Sequence, residues 1–178
     1  TEGQVRRPWR LASPHSSVRL GAGVDIGATP AATTVLELAY GYHRSRFYLN
    51  AGMTLAMPRR YESGDVALRA ALGSLRVAAG VAGRRRALVL AIGAFVEGGV
   101  VGARGVDVPG PVTGHAPWFA LGAEAAIGVQ VGAFCLRARP VLALPLNRPS
   151  FVIVGEGEAY RPNPVRLNVF FDVELHFE

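Results

Sequence analysis

The chain has no lysine: its 19 basic residues are all arginine, set against 13 acidic ones for a formal charge of +6. Arginine suits forked pairing with carboxylates and phosphates. A nucleic-acid surface would need these cations gathered on one face. Here they fall in short clusters, Arg44 with Arg46, Arg59 with Arg60, and Arg84 to Arg86, each at an expected turn, so no nucleic-acid partner is expected. Cysteine is almost absent as well. Cys135 stands alone, which excludes an intramolecular disulfide and leaves no cysteine-based zinc spacing. No metal or cofactor is therefore expected. Long apolar runs are also missing. The longest candidate, 87–103, carries Glu97 and four glycines, so a membrane-spanning helix is not supported.

What the chain does have is apolar and polar residues by turns. Its 178 residues suit one domain, and its 22 glycines suit tight turns and crowded strands better than helices. At the C-terminal end, over 165–178, Val169, Phe171, Val173, Leu175 and Phe177 share one face, with Asn168, Phe170, Asp172, Glu174 and His176 opposite. The same period of two predicts strands at 17–28, 33–43, 46–57, 86–102, 118–131 and 133–146. An eighth, 65–81, also fits a helical face. Reading it as a strand requires the period to slip near Gly73 and Ser74, as at a β-bulge, and its neighbours favour that reading because an even strand count is needed if both ends of the barrel are to lie on the same side. Short turns at 43–46, 82–86 and around Gly132 contrast with longer Pro- and Gly-rich connections at 104–117 and 147–164. Residues 1–16 show no clear period and are expected to be an N-terminal tail or linker, with the barrel over 17–178; a chain opening on Thr1 is expected to be a processed form or an excised piece.

The two faces differ in chemistry. The apolar faces carry no charged side chain, as lipid requires; a soluble ligand-binding barrel would have its polar residues outside. The polar faces hold Arg19, Asp25, Glu37, Arg69, Arg76, Glu97, Glu124, Arg137, Arg139, Asp172 and Glu174, five positive against six negative. Such near-balance suits a narrow interior, because an unpaired buried charge is costly. In an eight-stranded barrel, side chains alone can fill the lumen.

On these features the chain resembles the small eight-stranded outer-membrane barrels of the OmpA, OmpX and OmpW type over about residues 17–178. The resemblance rests on the eight alternating segments, the asymmetry of turns and loops, and the ending Phe171-Asp172-Val173-Glu174-Leu175-His176-Phe177. That ending resembles the C-terminal signal read by barrel-insertion machinery, with Phe171, Val173, Leu175 and Phe177 as its apolar positions, although Glu178 follows the final aromatic. The resemblance implies an all-β, closed, antiparallel transmembrane barrel in the bacterial outer membrane, with its N-terminus periplasmic and the lipid bilayer as its surroundings. A ten-stranded count is the alternative if the apolar run Phe151, Val152, Ile153 and Val154 also spans the membrane.

The expected role is a non-enzymatic membrane anchor or interaction module with a plugged polar interior. An envelope protein partner would meet the loops, with Phe151 to Val154 as the candidate contact, or the N-terminal tail. A narrow pore for ions or small solutes is the alternative, ahead of a lipid-modifying enzyme or a soluble ligand-binding barrel. No catalytic residues are assigned: His43 and His176 fall at the periplasmic end and His115 in a loop without a serine partner at fixed spacing. Trp118, Tyr40, Tyr42, Phe47, Tyr48 and Phe177 are expected in aromatic girdles at strand ends.

Overall fold

Side chains of a strand point alternately to its two faces. In the computed structural model, which describes residues 12–63, 66–106, 113–153 and 157–177, this alternation becomes an inside and an outside. The elements are β1 (Ala12–Ile26), β2 (Thr33–Ser45), β3 (Phe47–Ser63), β4 (Val66–Arg85), β5 (Leu88–Val106), β6 (Thr113–Val131), β7 (Phe134–Pro145), β8 (Phe151–Ile153), β9 (Gly157–Tyr160) and β10 (Arg166–Phe177). Eight of them form one closed barrel in the order β1-β10-β7-β6-β5-β4-β3-β2, every neighbouring pair antiparallel. The expected fold class is the observed one. β8 and β9 pair only with each other, so the ten-stranded alternative does not hold.

Burial alternates along the strands. In β2, Val35, Glu37 and Ala39 face the interior while Leu36, Leu38 and Tyr40 face out. β1 begins at Ala12, earlier than the periodicity alone suggests, so residues 12–16 belong to the barrel and not to the expected tail.

The uncertain segment is a strand from Val66 onward, and its period does not slip there. Leu68, Ala70, Leu72, Ser74, Arg76 and Ala78 all face inward, in unbroken register with β5 from Ala67 to Arg85. The irregularity lies on β3 instead, where the register with β4 jumps between Ala56 and Arg59. Pro58 lies in that gap. A proline has no N–H to give a ladder, so it falls naturally at a bulge. The correction moves Arg69, expected in the interior charge network, to the exposed outer face, one residue out of phase with Arg76 and Leu68.

The bulge also lets β3 continue past its expected end. β3 to β6 all run beyond the rest of the barrel at the long-loop end, and much of the expected loop 104–117 is strand. The result is a barrel with one tall wall. Against the inner side of that wall packs the β8–β9 hairpin, through a cluster of Leu68, Ala70, Ala103 and Tyr160 flanked by Tyr61, Phe151 and Ala159.

At the opposite end the three turns are tight. Ser45 and Arg86 adopt left-handed backbone, φ 60 and 58, as does Gly132 at φ 61 in the third. A side-chain-bearing residue there is strained by about 1–2 kcal/mol. Arg86→Gly should therefore stabilise the folded barrel by about 1 kcal/mol, after allowing for the freer unfolded chain. Urea unfolding in lipid vesicles should move to a higher midpoint, and a lower one would count against this turn geometry.

Candidate functional site in the barrel interior

The inward faces of the eight strands bring together residues scattered along the whole chain. Five arginines (19, 76, 137, 139 and 166) and six carboxylates (25, 37, 97, 124, 172 and 174) are buried among the described residues. Ten of these eleven were expected; Arg166 replaces Arg69. Its signal was parity with Asn168, Phe170 and Asp172 on the polar face of β10.

Arg139 sits at the centre. Its Nε donates to Asp172 Oδ2 at 2.7 Å, its Nη1 to Glu124 Oε2 at 3.0 Å and its Nη2 to Glu37 Oε1 at 2.7 Å. Glu37 also accepts from Arg19 Nη2 at 2.8 Å and, through Oε2, from Arg76 Nη1 at 3.4 Å. Arg76 continues the chain to Glu97 at 2.7 Å, and Arg166 links Glu97 to Asp25. One connected network thus crosses the lumen from β10 to β4 and back. Such linkage is how buried charge is tolerated: each carboxylate trades water for charge-assisted hydrogen bonds.

Aromatic rings fill the space between these groups. The Arg76 guanidinium lies 4.3 Å from the Phe95 ring centroid and Arg139 lies 4.5 Å from that of Phe170, both favourable for a cation over a π face. Trp118 and Tyr48, expected in an outer girdle, are interior residues. Trp118 shares inward parity with Ala120 and lies 5.9 Å from Arg166, while the Tyr48 hydroxyl donates to Glu124 at 3.0 Å. Tyr40, Tyr42, Phe47 and Phe177 do face outward near the short turns.

Tyr48 reaches Glu124 only because Gly93 lies beneath it: a Cβ at Gly93 would stand 2.1 Å from the Tyr48 hydroxyl. Gly122 leaves room for Phe95 in the same way. Gly93→Ala should push Tyr48 off Glu124 and destabilise the barrel by about 1–3 kcal/mol. Tyr48→Ala in the same background should make the glycine substitution nearly neutral, and a denaturation double-mutant cycle showing no coupling would remove this contact from the account.

The network is closed off at the long-loop end. Above it, Val35, Leu72, Val101, Ala120, Val141 and Ala143 form an apolar layer, against which Phe151 packs. The β8–β9 hairpin is tied down by the Tyr160 hydroxyl on the Ala28 carbonyl and by Arg148 Nε on the Pro162 carbonyl at 2.9 Å. On its outer side Ser150 Oγ and Arg161 Nη2 both donate to Glu158, holding that carboxyl below its ordinary range. Of the candidate contact residues, Phe151 stacks on Tyr160 with centroids 6.0 Å apart, and Val152 is exposed. Ile153 ends β8, and Val154 lies outside the described residues. Phe171, Val173, Leu175 and Phe177 all face outward on β10.

At the short-turn end, by contrast, the lumen opens into a cavity of about 630 Å³ lined by His15, His43, Arg137, Glu174 and His176 among others. Ser17 Oγ donates to Glu174 Oε1 at 2.7 Å and Arg137 Nη1 lies 2.9 Å from Glu174 Oε2.

No protein-family model matches the chain, and no curated protein sequence does. Solved structures do match in fold. Neisserial surface protein A aligns over 94% of this chain and 99% of its own, with a TM-score of 0.62 at 11% identity. A major outer membrane protein from Thermus thermophilus aligns over 93% and 100%, with 0.59 at 12%. Ail, the attachment invasion locus protein of Yersinia pestis, aligns over 94% and 99%, with 0.56 at 10%. At such identities the likeness is one of fold: this chain has the architecture of a small eight-stranded outer-membrane barrel.

Proposed function

We propose that this chain, built on the outer-membrane barrel fold, is a bacterial outer-membrane protein that acts as a non-conducting anchor and presents its tall wall and β8–β9 hairpin outside. The observation that carries the reading is the closed interior: Arg139, Arg166, Phe170 and Trp118 are each less than 2% exposed in mid-lumen, locked to one another and to their carboxylates. A channel needs a continuous wet path, and a network with every cation paired across the lumen offers ions neither room nor free charge.

The outer face supports a lipid setting. Leu20, Leu38, Met53, Leu75, Ile92, Leu121, Leu136 and Val173 continue one apolar belt around the barrel. Among the described residues, charged side chains return beyond it: Arg60, Arg69 and Arg104 stand side by side across β3, β4 and β5 on the tall wall. Guanidinium groups at that height suit lipid phosphates. With the short turns periplasmic, as is usual for such barrels, the N-terminus is periplasmic too. The chain would then enter the membrane through the barrel-insertion machinery, and the exposed side of the hairpin, with Val152, would be the surface for an envelope or extracellular protein.

Planar-bilayer recording on the refolded barrel tests the closed lumen. The expected result is no single-channel current, with current appearing when Arg139 and Phe170 are both truncated. Steady conductance of the unaltered protein would favour a pore instead.

A further inference from the structure

We infer that the short-turn mouth of the barrel is a binding site for a late first-row divalent metal ion, of the zinc or copper class, held by His15, His43 and His176. The three residues come from β1, β2 and β10, yet one ring nitrogen from each lies within 4.8 Å of the other two. The rings themselves are 4.7, 4.9 and 5.5 Å apart between centroids. At a metal–nitrogen distance of about 2.0–2.1 Å, ligands in a tetrahedron stand about 3.3 Å apart, so closure on an ion needs the rings to approach by on the order of 1 Å and the stacked His15 and His43 rings, 4° from parallel, to turn their in-plane lone pairs toward it. Imidazole nitrogens select zinc, copper or nickel over magnesium and calcium, which prefer oxygen.

The surroundings are those of ligands, not of ordinary core histidines. Glu174 stands between two of the rings, its Oε1 3.4 Å from His43 Nε2 and its Oε2 3.4 Å from His176 Nε2. When a ring N–H turns to that carboxylate, the tautomer is fixed and the other nitrogen is left a lone-pair donor of raised basicity. That other nitrogen of His176, Nδ1, is buried without a hydrogen-bond partner. The one guanidinium nearest to Glu174, that of Arg137, is paired to it at 2.9 Å, and Arg84 is turned to Gln130 at 3.0 Å. The cavity in front of the rings gives an ion and its remaining water room to enter. Cys135 with Glu174 and His176 makes a second close set, but the thiol is buried and does not line that cavity.

The position has a consequence. β1 and β10 are the first and last strands of the barrel, paired along the closing seam with Ser17 opposite His176. An ion held by His15, His43 and His176 staples that seam to β2. Since it would bind the folded barrel and not the open chain, it would raise resistance to unfolding. The site requires the barrel's geometry, whatever membrane surrounds it.

The test uses the full chain folded in detergent micelles, with cobalt(II) chloride for spectroscopy and zinc chloride for calorimetry. Expected are visible cobalt absorption saturating at one ion per chain, a zinc-dependent rise in the urea midpoint, and loss of both in His15→Gln and His176→Gln. Each of these should weaken zinc binding by about tenfold or more, whereas His115→Gln, at the far end, should bind as the unaltered chain does. Heat-modifiable gel mobility establishes that each variant is folded; His15→Gln, at the rim, is the one to rely on if His176→Gln is not. Three results would overturn the inference: no saturable binding, binding by His15→Gln equal to that of the unaltered chain, or a thiolate-to-cobalt band abolished by Cys135→Ser. The last would assign the ion to the cysteine set.

Discussion

Replacing Arg139 with alanine should cost the folded barrel about 3–5 kcal/mol, the range for removing one partner of a buried, hydrogen-bonded ion pair. The size follows from what is left behind. Asp172, Glu124 and Glu37 each accept from this one guanidinium at 2.7–3.0 Å, and all three remain in the lumen when it goes. They differ in what compensates them. Glu37 keeps Arg19 and Arg76, and Glu124 keeps the Tyr48 hydroxyl, whereas Asp172 is left with no second ion pair among the described residues. Truncation also removes the cation lying over Phe170 and opens a hole in mid-lumen. Adding Asp172→Asn to the alanine variant should recover part of the loss, because a neutral amide needs no counter-charge. Arg139→Lys should fall between, since one ammonium cannot span three carboxylates set around a planar fork. Equilibrium urea unfolding in lipid vesicles measures all of these. A loss below about 1 kcal/mol for the alanine variant would mean that the network is dispensable to stability.

Leu38→Arg should cost about 2–4 kcal/mol in a bilayer, as a guanidinium at the lipid midplane does. Leu38 faces out from the middle of β2, between Leu20 and Met53 on its neighbours, and nothing in the interior changes when it is replaced. In a water-facing barrel the same substitution would stay within about 0.5 kcal/mol, as exposed substitutions do. The two settings therefore differ several-fold in one measurement. Tyr42→Arg, nearer the short turns, should cost only about 0–1 kcal/mol because its side chain can reach the interface. Equal and small losses at both positions would remove the lipid reading of the apolar belt.

The barrel was legible in the chain because strand period is a local property. Val35 to Tyr42 or Asn168 to Phe177 state which side chains share a face before any partner strand is known. Failures came where period and phase part company. Residues 65–81 carry enough small and apolar residues on both faces to fit two phases, so alternation alone puts Arg69 inside although the pairing of β4 with β5 holds it outside. The actual slip had a visible mark, Pro58, but a proline between Met57 and Arg59 reads as a turn as readily as a bulge. Trp118 and Tyr48 misled for a different reason. Aromatics near strand ends suit either a girdle or a plug, and only parity with Ala120 and Asn50 separates the two.

Architecture, the charge balance of the lumen and the greasy exterior were thus written in alternation and composition, because each depends on neighbours in the chain. Who pairs with whom was not. Arg139 with Glu37, Arg166 with Asp25 and Glu97, and the meeting of His15, His43 and His176 depend on strand register and on closure of β1 against β10. Closure sets the first and last strands side by side, and no local pattern encodes what faces what across a lumen.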